Sequence, residues 1–307
     1  MRPTPLSRPA SRPTLAVSFA ALVVASAPFS GFPQEPPAAP AGDAANTNAQ
    51  LAAEFVADEA VRYEIRRRSS PEEAGPDGDE PGAALELVSE PVLRWSNPTG
   101  GEVYGAVVLW TRDGRPEAAA SIYRFFNRNY LNVELVSLSE EPLVAERNGR
   151  VRWTPAAGIE FKPVPGAPAP TDTVAGRRLQ ARTVAREFSA ELAGRNAGDE
   201  FSPLRLLSRP LHHYEAADGS GRDGAVFSMS TTNDPGLLLL LESRPTADGP
   251  KWFWAAARMD FVRLRLSHAG RTVWEAPQVA PPWGPVRGPE GTYVILEWRS
   301  PEAAAKD

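Results

Sequence analysis

The sequence predicts an α+β protein, mostly antiparallel β, built as two tandem units of one helix packed on an antiparallel sheet of about five strands. The alternative is a single β-sandwich or continuous sheet with two covering helices. Three observations carry this expectation. Only two stretches show helical periodicity, most other apolar segments are short and strand-like, and the order of elements recurs about 120 residues later.

In chain order, residues 1–25 are predicted to be a signal peptide. Arg2, Arg8 and Arg12 form a basic segment without acids, and the apolar run Leu15 to Ala27 is too short to span a bilayer. Cleavage is placed after Ala25, since cutting after Ala27 leaves Pro28 at the scissile bond; no cysteine follows to carry a lipid anchor. Residues 26–45 are a Pro/Ala tether with nothing to bury, expected to be disordered. The first unit then spans 46–165, a linker 166–172, the second unit 173–300, and a disordered tail 301–307.

Thr47-Asn48-Ala49-Gln50 fits a capping box, followed by Leu51, Ala52, Phe55, Val56 and Ala60 on one helical face. A second helix is expected from about Val174 to Ala193, with Ala181, Val184, Ala185, Phe188 and Leu192 on one stripe and Arg178, Arg182 and Arg186 off it. The strand segments are PVLRW, GAVVLW, AAASIYRFF, NVELVSL and GRVRW in the first half. In the second they are PLHHY, GAVFSM, GLLLLLES, WFWAAARM, FVRLRLSH, GRTVW and TYVILEW. Arg112-Asp113-Gly114-Arg115 and Asn233-Asp234-Pro235-Gly236 read as the turns of antiparallel meanders.

The halves align on particular residues. Pro91, Trp95, Gly105, Ala106 and Val107 correspond to Pro210, Tyr214, Gly224, Ala225 and Val226, each 119 residues later (210 − 91). Gly149-Arg150-Val151-Arg152-Trp153 matches Gly270-Arg271-Thr272-Val273-Trp274, 121 residues later (270 − 149). An internal duplication accounts for both.

Composition narrows the function classes. Hydrophobic residues make up 42%, enough for a core, and the 32 prolines fall mainly in the export segment, the tether and loops. With no cysteine, disulfides, thiolate zinc sites, Fe–S clusters and cysteine nucleophiles are excluded. A net charge of −5 argues against a nucleic-acid partner. No membrane span is expected once the signal is removed.

Few motifs carry chemistry. Gly219-Ser220-Gly221-Arg222-Asp223-Gly224 spells the dinucleotide fingerprint, yet a strand follows where a helix N-terminus is required, so no cofactor is expected. His212 and His213 are strand neighbours pointing to opposite faces; a metal site from either with His268 and Asp218 or Asp223 stays geometrically open, but such sites usually need three or four convergent ligands, and no metal is expected. No G-x-S-x-G elbow occurs, and the acid pairs Asp58-Glu59 and Glu140-Glu141 diverge, so no catalytic residue is assigned. The eight tryptophans are expected mainly in the cores. Trp283, in a proline-rich loop with no strand to pack it, is the candidate ligand platform, together with Trp254, His212 and His213.

The blocks PVLRWSNPTGGEVYGAVVLWTRDGRPEAAASIYRFF, RLLSRPLHHYE, DGAVFSMSTTNDPGLLLLLES and WFWAAARMDFVRLRLSHAGRTVW resemble an uncharacterised family of exported proteins of planctomycete bacteria. The resemblance implies export and a β-rich body, and no activity. The expectation is therefore an exported, non-enzymatic binding or structural protein of the periplasm, envelope or exterior, with a glycan or an envelope protein as partner. Two alternatives stand beside it. One is a hydrolase acting on a cell-wall or polysaccharide substrate; the other is a subunit of an envelope assembly with Leu237 to Leu241 buried against its neighbour, although a core strand accounts for the same five residues.

Overall fold

Alanine-rich sequence favours helix ahead of Thr47, and in the computed structural model the first helix begins there. The structure describes residues 41–68, 82–97, 102–196, 198–215, 221–279, 288–298 and 300–307. The expected signal peptide, most of the tether and Trp283 lie outside these. Helix α1 (Ala41–Ala60) takes in the last five residues assigned to the tether. Thr47 and Gln50 are thus inside the helix rather than capping it, and Gln50 donates to Glu54 (3.2 Å).

Strands β1 (Tyr63–Arg67), β2 (Glu86–Leu87), β3 (Leu93–Asn97), β4 (Val103–Arg112), β5 (Arg115–Phe125), β6 (Tyr130–Ser137), β7 (Leu143–Arg147), β8 (Arg150–Trp153) and β9 (Lys162–Pro163) follow. Helix α2 (Val174–Ala185) opens the second half, with the Thr173 hydroxyl accepting from the Gly176 N–H (3.1 Å). It ends eight residues short of the expected Ala193. Phe188 and Leu192 instead belong to β10 (Phe188–Ala193), because Phe188 and Ala190 also fit a period of two and both edges of this strand find partners. Then come β11 (Phe201–Leu206), β12 (His212–Glu215), β13 (Asp223–Thr231), β14 (Asp234–Arg244), β15 (Lys251–Arg258), β16 (Leu264–His268), β17 (Arg271–Ala276) and β18 (Tyr293–Trp298). The expected disordered tail is helix α3 (Pro301–Lys306), whose Ser300 Oγ accepts from the Ala303 N–H (3.2 Å) and whose proline sits in the first turn.

The described chain is α+β and mostly antiparallel β. Pairing runs β1-β7-β8 and β18-β6-β5-β4-β2 with β3 on β4, and an isolated bridge, Arg66 to Ala84, links β1 to the segment before β2. In the second half the order is β17-β16-β10-β11-β13-β14-β15-β9 with β12 on β13. Register corresponds as well: Trp95 pairs with Gly105 and Tyr214 with Gly224, and shifts occur at Trp110/Thr111 and Met229/Ser230. A further pair of shifts falls at Ala145/Glu146 and Leu266/Ser267. The second predicted turn lies two residues earlier than expected, since Thr231 pairs with Asp234 and Thr232 takes the positive φ of 54°.

Alternation along these strands feeds three cores. Val108, Trp110, Ala120, Ile122 and Val133 face α1, together with Trp153 and Trp298. Phe227, Leu237, Leu239 and Leu241 face α2. Between the sheets Val107, Leu109, Ala119 and Val136 meet Val226, Leu238, Leu240, Ala255 and Ala257. The layers are therefore helix, sheet, sheet, helix, and the run Leu237 to Leu241, fully buried, alternates between two cores. The segment 166–172 does not part the body. β9 precedes it and pairs with β15 beyond it, β18 returns to β6, and Ala41–Asp307 forms one compact unit.

Candidate functional site

The inner faces of the two sheets carry polar side chains among the apolar ones, and these gather at two clefts. The first is of about 330 Å³ and lies around Arg115, at the start of β5. Arg115 is 4% exposed and donates to Glu117 (2.7 Å), Glu242 (3.0 Å) and Glu140 (3.2 Å). Arg67 grips Glu117 with two bonds (3.1 and 2.7 Å), and Arg244 grips Glu140 likewise (3.0 and 2.7 Å). The Tyr214 hydroxyl donates to Glu242 (2.6 Å), and the Arg244 guanidinium lies 3.9 Å from the centre of the Phe161 ring. With Arg222 3.8 Å from Glu140, four guanidiniums answer three carboxylates. Burial works against the charge on Arg115, but Glu242, Tyr214 and Glu117 outweigh it and hold its pKa above the usual value. Burial also raises Glu140, and Arg244 and Arg115 reverse that, leaving it below the ordinary carboxylate range.

The second cleft, of about 140 Å³, has the opposite character. Its walls include Trp95, Tyr123, Phe125 and Phe261, and its acids are Glu134, Asp234 and Asp260. The Trp95 indole donates to Ser121 (3.2 Å) and its ring lies 5.2 Å from that of Tyr123. Tyr123 in turn donates to Glu134 (2.6 Å) and accepts from Asn132 (3.1 Å). Arg195 is the cation on the lining, 5.5 Å from the centre of the Phe261 ring. Asp260 accepts from the Val262 N–H (3.1 Å), whereas Asp234 has no hydrogen bond or ion pair among the described residues. Tyr293 is 3% exposed and stands beside Glu134, Asp260 and Tyr123.

Electrostatics follow from that shortage of positive charge. Burial, then the neighbouring Asp260, pushes the Asp234 carboxyl from 3.8 up to about 7, with Arg195 acting against them. Burial raises Asp260 and Glu134 as well, and the Tyr123 hydrogen bond only partly offsets the effect at Glu134. At neutral pH Asp234 is therefore a carboxyl able to give up a proton or to receive a cation. No three His, Asp or Glu side chains converge with metal-binding geometry among the described residues.

The residues singled out from sequence lie elsewhere. Trp254 is 4% exposed and packs its ring 5.7 Å from Phe188 in the core under α2, although it also forms one wall of a separate cavity with Trp274. His212 approaches the Gly114 carbonyl (3.3 Å), while His213 is half-buried near Arg178 and Arg182. Burial lowers the pKa of both histidines. His268 contacts Glu187 (3.1 Å), and Asp223 pairs with Arg177 (3.2 Å). Of the fingerprint, Gly219 and Ser220 lie outside the described residues and Gly224 is inside β13. Sequence reading missed Glu134, Asp234 and Asp260. A usable signal was present, because Glu134 interrupts the apolar segment NVELVSL at a position facing the other sheet.

No family model, curated protein or solved structure matches this chain. No helix among the described residues is long and apolar enough to cross a membrane.

Proposed function

We propose that the chain is an exported, non-enzymatic binding protein of the bacterial envelope or exterior, formed by duplication of a helix-plus-sheet unit, that holds a small ligand in the acidic, aromatic cleft. The observation carrying the binding reading is that cleft: four aromatic residues around carboxyls of which Asp234 has no bonded partner. Duplication is supported by the common pairing order and by register shifts at equivalent positions. Export is supported by the basic and apolar pattern of residues 1–25 and by the resemblance to exported planctomycete proteins.

A hydrolase acting on a polysaccharide is the second reading, favoured by one observation. Asp234, its pKa raised to about 7 beside Asp260, is poised as a general acid near a second carboxylate. One screen tests both readings. The purified chain is mixed with envelope glycans and with small charged metabolites, and tryptophan fluorescence and reducing-end release are followed, with Trp95→Phe as control. Binding without turnover supports the first reading, and turnover abolished by Asp234→Asn supports the second. If no compound alters the Trp95 signal, the cleft is not a ligand site. N-terminal sequencing of the secreted protein tests export, with Ser26 expected first.

A further inference from the structure

Resting on the binding reading above, we infer that the acidic cleft takes the guanidinium or alkylammonium head of a small amine or a basic side chain. The first cleft shows that chemistry, made from the chain's own residues. Arg115 and Asp234 hold the same register position, each closing the hairpin between its paired strands. Arg244 and Phe125 are likewise equivalent, 119 residues apart (244 − 125). Where Arg115 and Arg244 fill one cleft with guanidiniums braced by carboxylates and an aromatic ring, the other presents an acid and a phenyl ring instead.

The second cleft therefore keeps the acceptors and lacks the matching cations. Three carboxyls face one lining cation, Arg195, which already lies over Phe261. The buried Tyr293 hydroxyl, beside Glu134 and Asp260, is a further polar group next to these acids. A positive head placed among Trp95, Tyr123 and Phe125 gains cation–π attraction and compensates the acids in one step. Size favours the same occupant. A cavity of ~150 Å³ holds about one benzene ring, so 140 Å³ accepts a guanidinium with one or two methylenes.

Affinity must then follow the ionisation of Asp234, which burial and Asp260 oppose and Arg195 favours; Glu134 and Arg258, beside Asp260, are the other charged groups nearby. With a value of about 7, Asp234 is roughly one-tenth ionised at pH 6 and nine-tenths at pH 8. Binding to the ionised form is roughly tenfold tighter at the higher pH.

Titration calorimetry with agmatine, an acetylated and amidated arginine tripeptide, glucose and methylurea tests the inference at pH 6 and 8, on the full chain and on Asp234→Asn. Expected are a dissociation constant about tenfold lower at pH 8 for a cationic probe, and loss of at least tenfold affinity with no remaining pH dependence in the variant. Tighter binding of the tripeptide than of agmatine identifies a basic side chain as the natural occupant; the reverse identifies a free amine. Asp234 has no bonded partner to lose, so the variant folds, and its melting curve verifies this. Two outcomes overturn the inference: the neutral probes bind as well as the cations, which leaves the cleft a binding site of another class, or no probe perturbs Trp95 fluorescence, which removes the binding reading too.

Discussion

Replacing Asp234 by asparagine should stabilise the protein, and by an amount that depends on pH. The folded carboxyl titrates at about 7 against 3.8 in the unfolded chain, a difference of roughly three units or about 4 kcal/mol. Its sign follows from proton linkage. Below about pH 3.8 both states hold the proton and the substitution is neutral; as pH rises toward 7 the unfolded state ionises while the folded state does not, and the parent loses about 1.4 kcal/mol per unit. Above about pH 7 the deficit is constant. Asparagine carries no charge and removes the slope, so at pH 8 the variant gains about 4 kcal/mol, or on the order of ten degrees in Tm for a body of this size. Urea unfolding of both proteins at pH 4, 5.5 and 8 measures the difference. Equal stability at pH 8, or a gain independent of pH, would show that Asp234 is not the uncompensated, partly buried acid described above. If the gain appears while binding is lost, the acid is retained at the expense of stability.

Other outcomes follow from particular contacts. Arg147, fully buried, is held by Glu59 (2.7 and 2.8 Å) and by the Ala304 carbonyl (2.7 Å); Arg147→Met strands the Glu59 carboxylate and costs about 3–5 kcal/mol, whereas adding Glu59→Leu restores most of it in thermal melts. An added Cβ at Gly105 meets Tyr123 Cβ at 2.5 Å and one at Gly224 meets the Tyr214 ring at 2.5 Å, so Gly105→Ala and Gly224→Ala each destabilise by about 1–3 kcal/mol in denaturant unfolding. Tyr214→Phe deletes the donor to buried Glu242 and lowers the unfolding free energy by about 1.5–3 kcal/mol. Ala269 and Asn148 both take left-handed φ, 48° and 51°; Ala269→Asn raises stability by about 0.5–1 kcal/mol, read from Tm.

Much of the strand framework was legible because burial on both faces leaves long apolar runs, as in Leu237 to Leu241, and because Asp113-Gly114 and Gly270 mark tight turns. Helix limits were not. Phe188 and Leu192 satisfy helical and strand spacing alike, and partners far away in sequence, Ser202 and Leu264 for Leu192, decide between them. The tail gave no apolar periodicity; what makes it a helix worth docking is the Arg147 side chain waiting for its Ala304 carbonyl. The cleft was illegible for a related reason. Asp234, Asp260 and Glu134 are scattered over 126 residues (260 − 134) and are ordinary surface residue types until the sheets face each other. Tryptophan by itself pointed to Trp254, which the core absorbs, while Trp95 at the cleft was not distinguishable from it by residue type.

The exchange of closing strands sets a timetable for folding. β6 has its outer edge covered by β18, and Arg147 is anchored to a carbonyl 157 residues further along the chain. At ~5–20 residues per second of synthesis, roughly ten to thirty seconds separate the appearance of that arginine from the appearance of its acceptor. Throughout that interval the first sheet has an unpaired edge, and Arg147, though paired with Glu59, lacks its backbone acceptor. The last strand to emerge works as a clasp. On the export reading proposed above, a chain whose clasp is made last stays loose during passage through a membrane pore and locks only after residues 293–307 have followed.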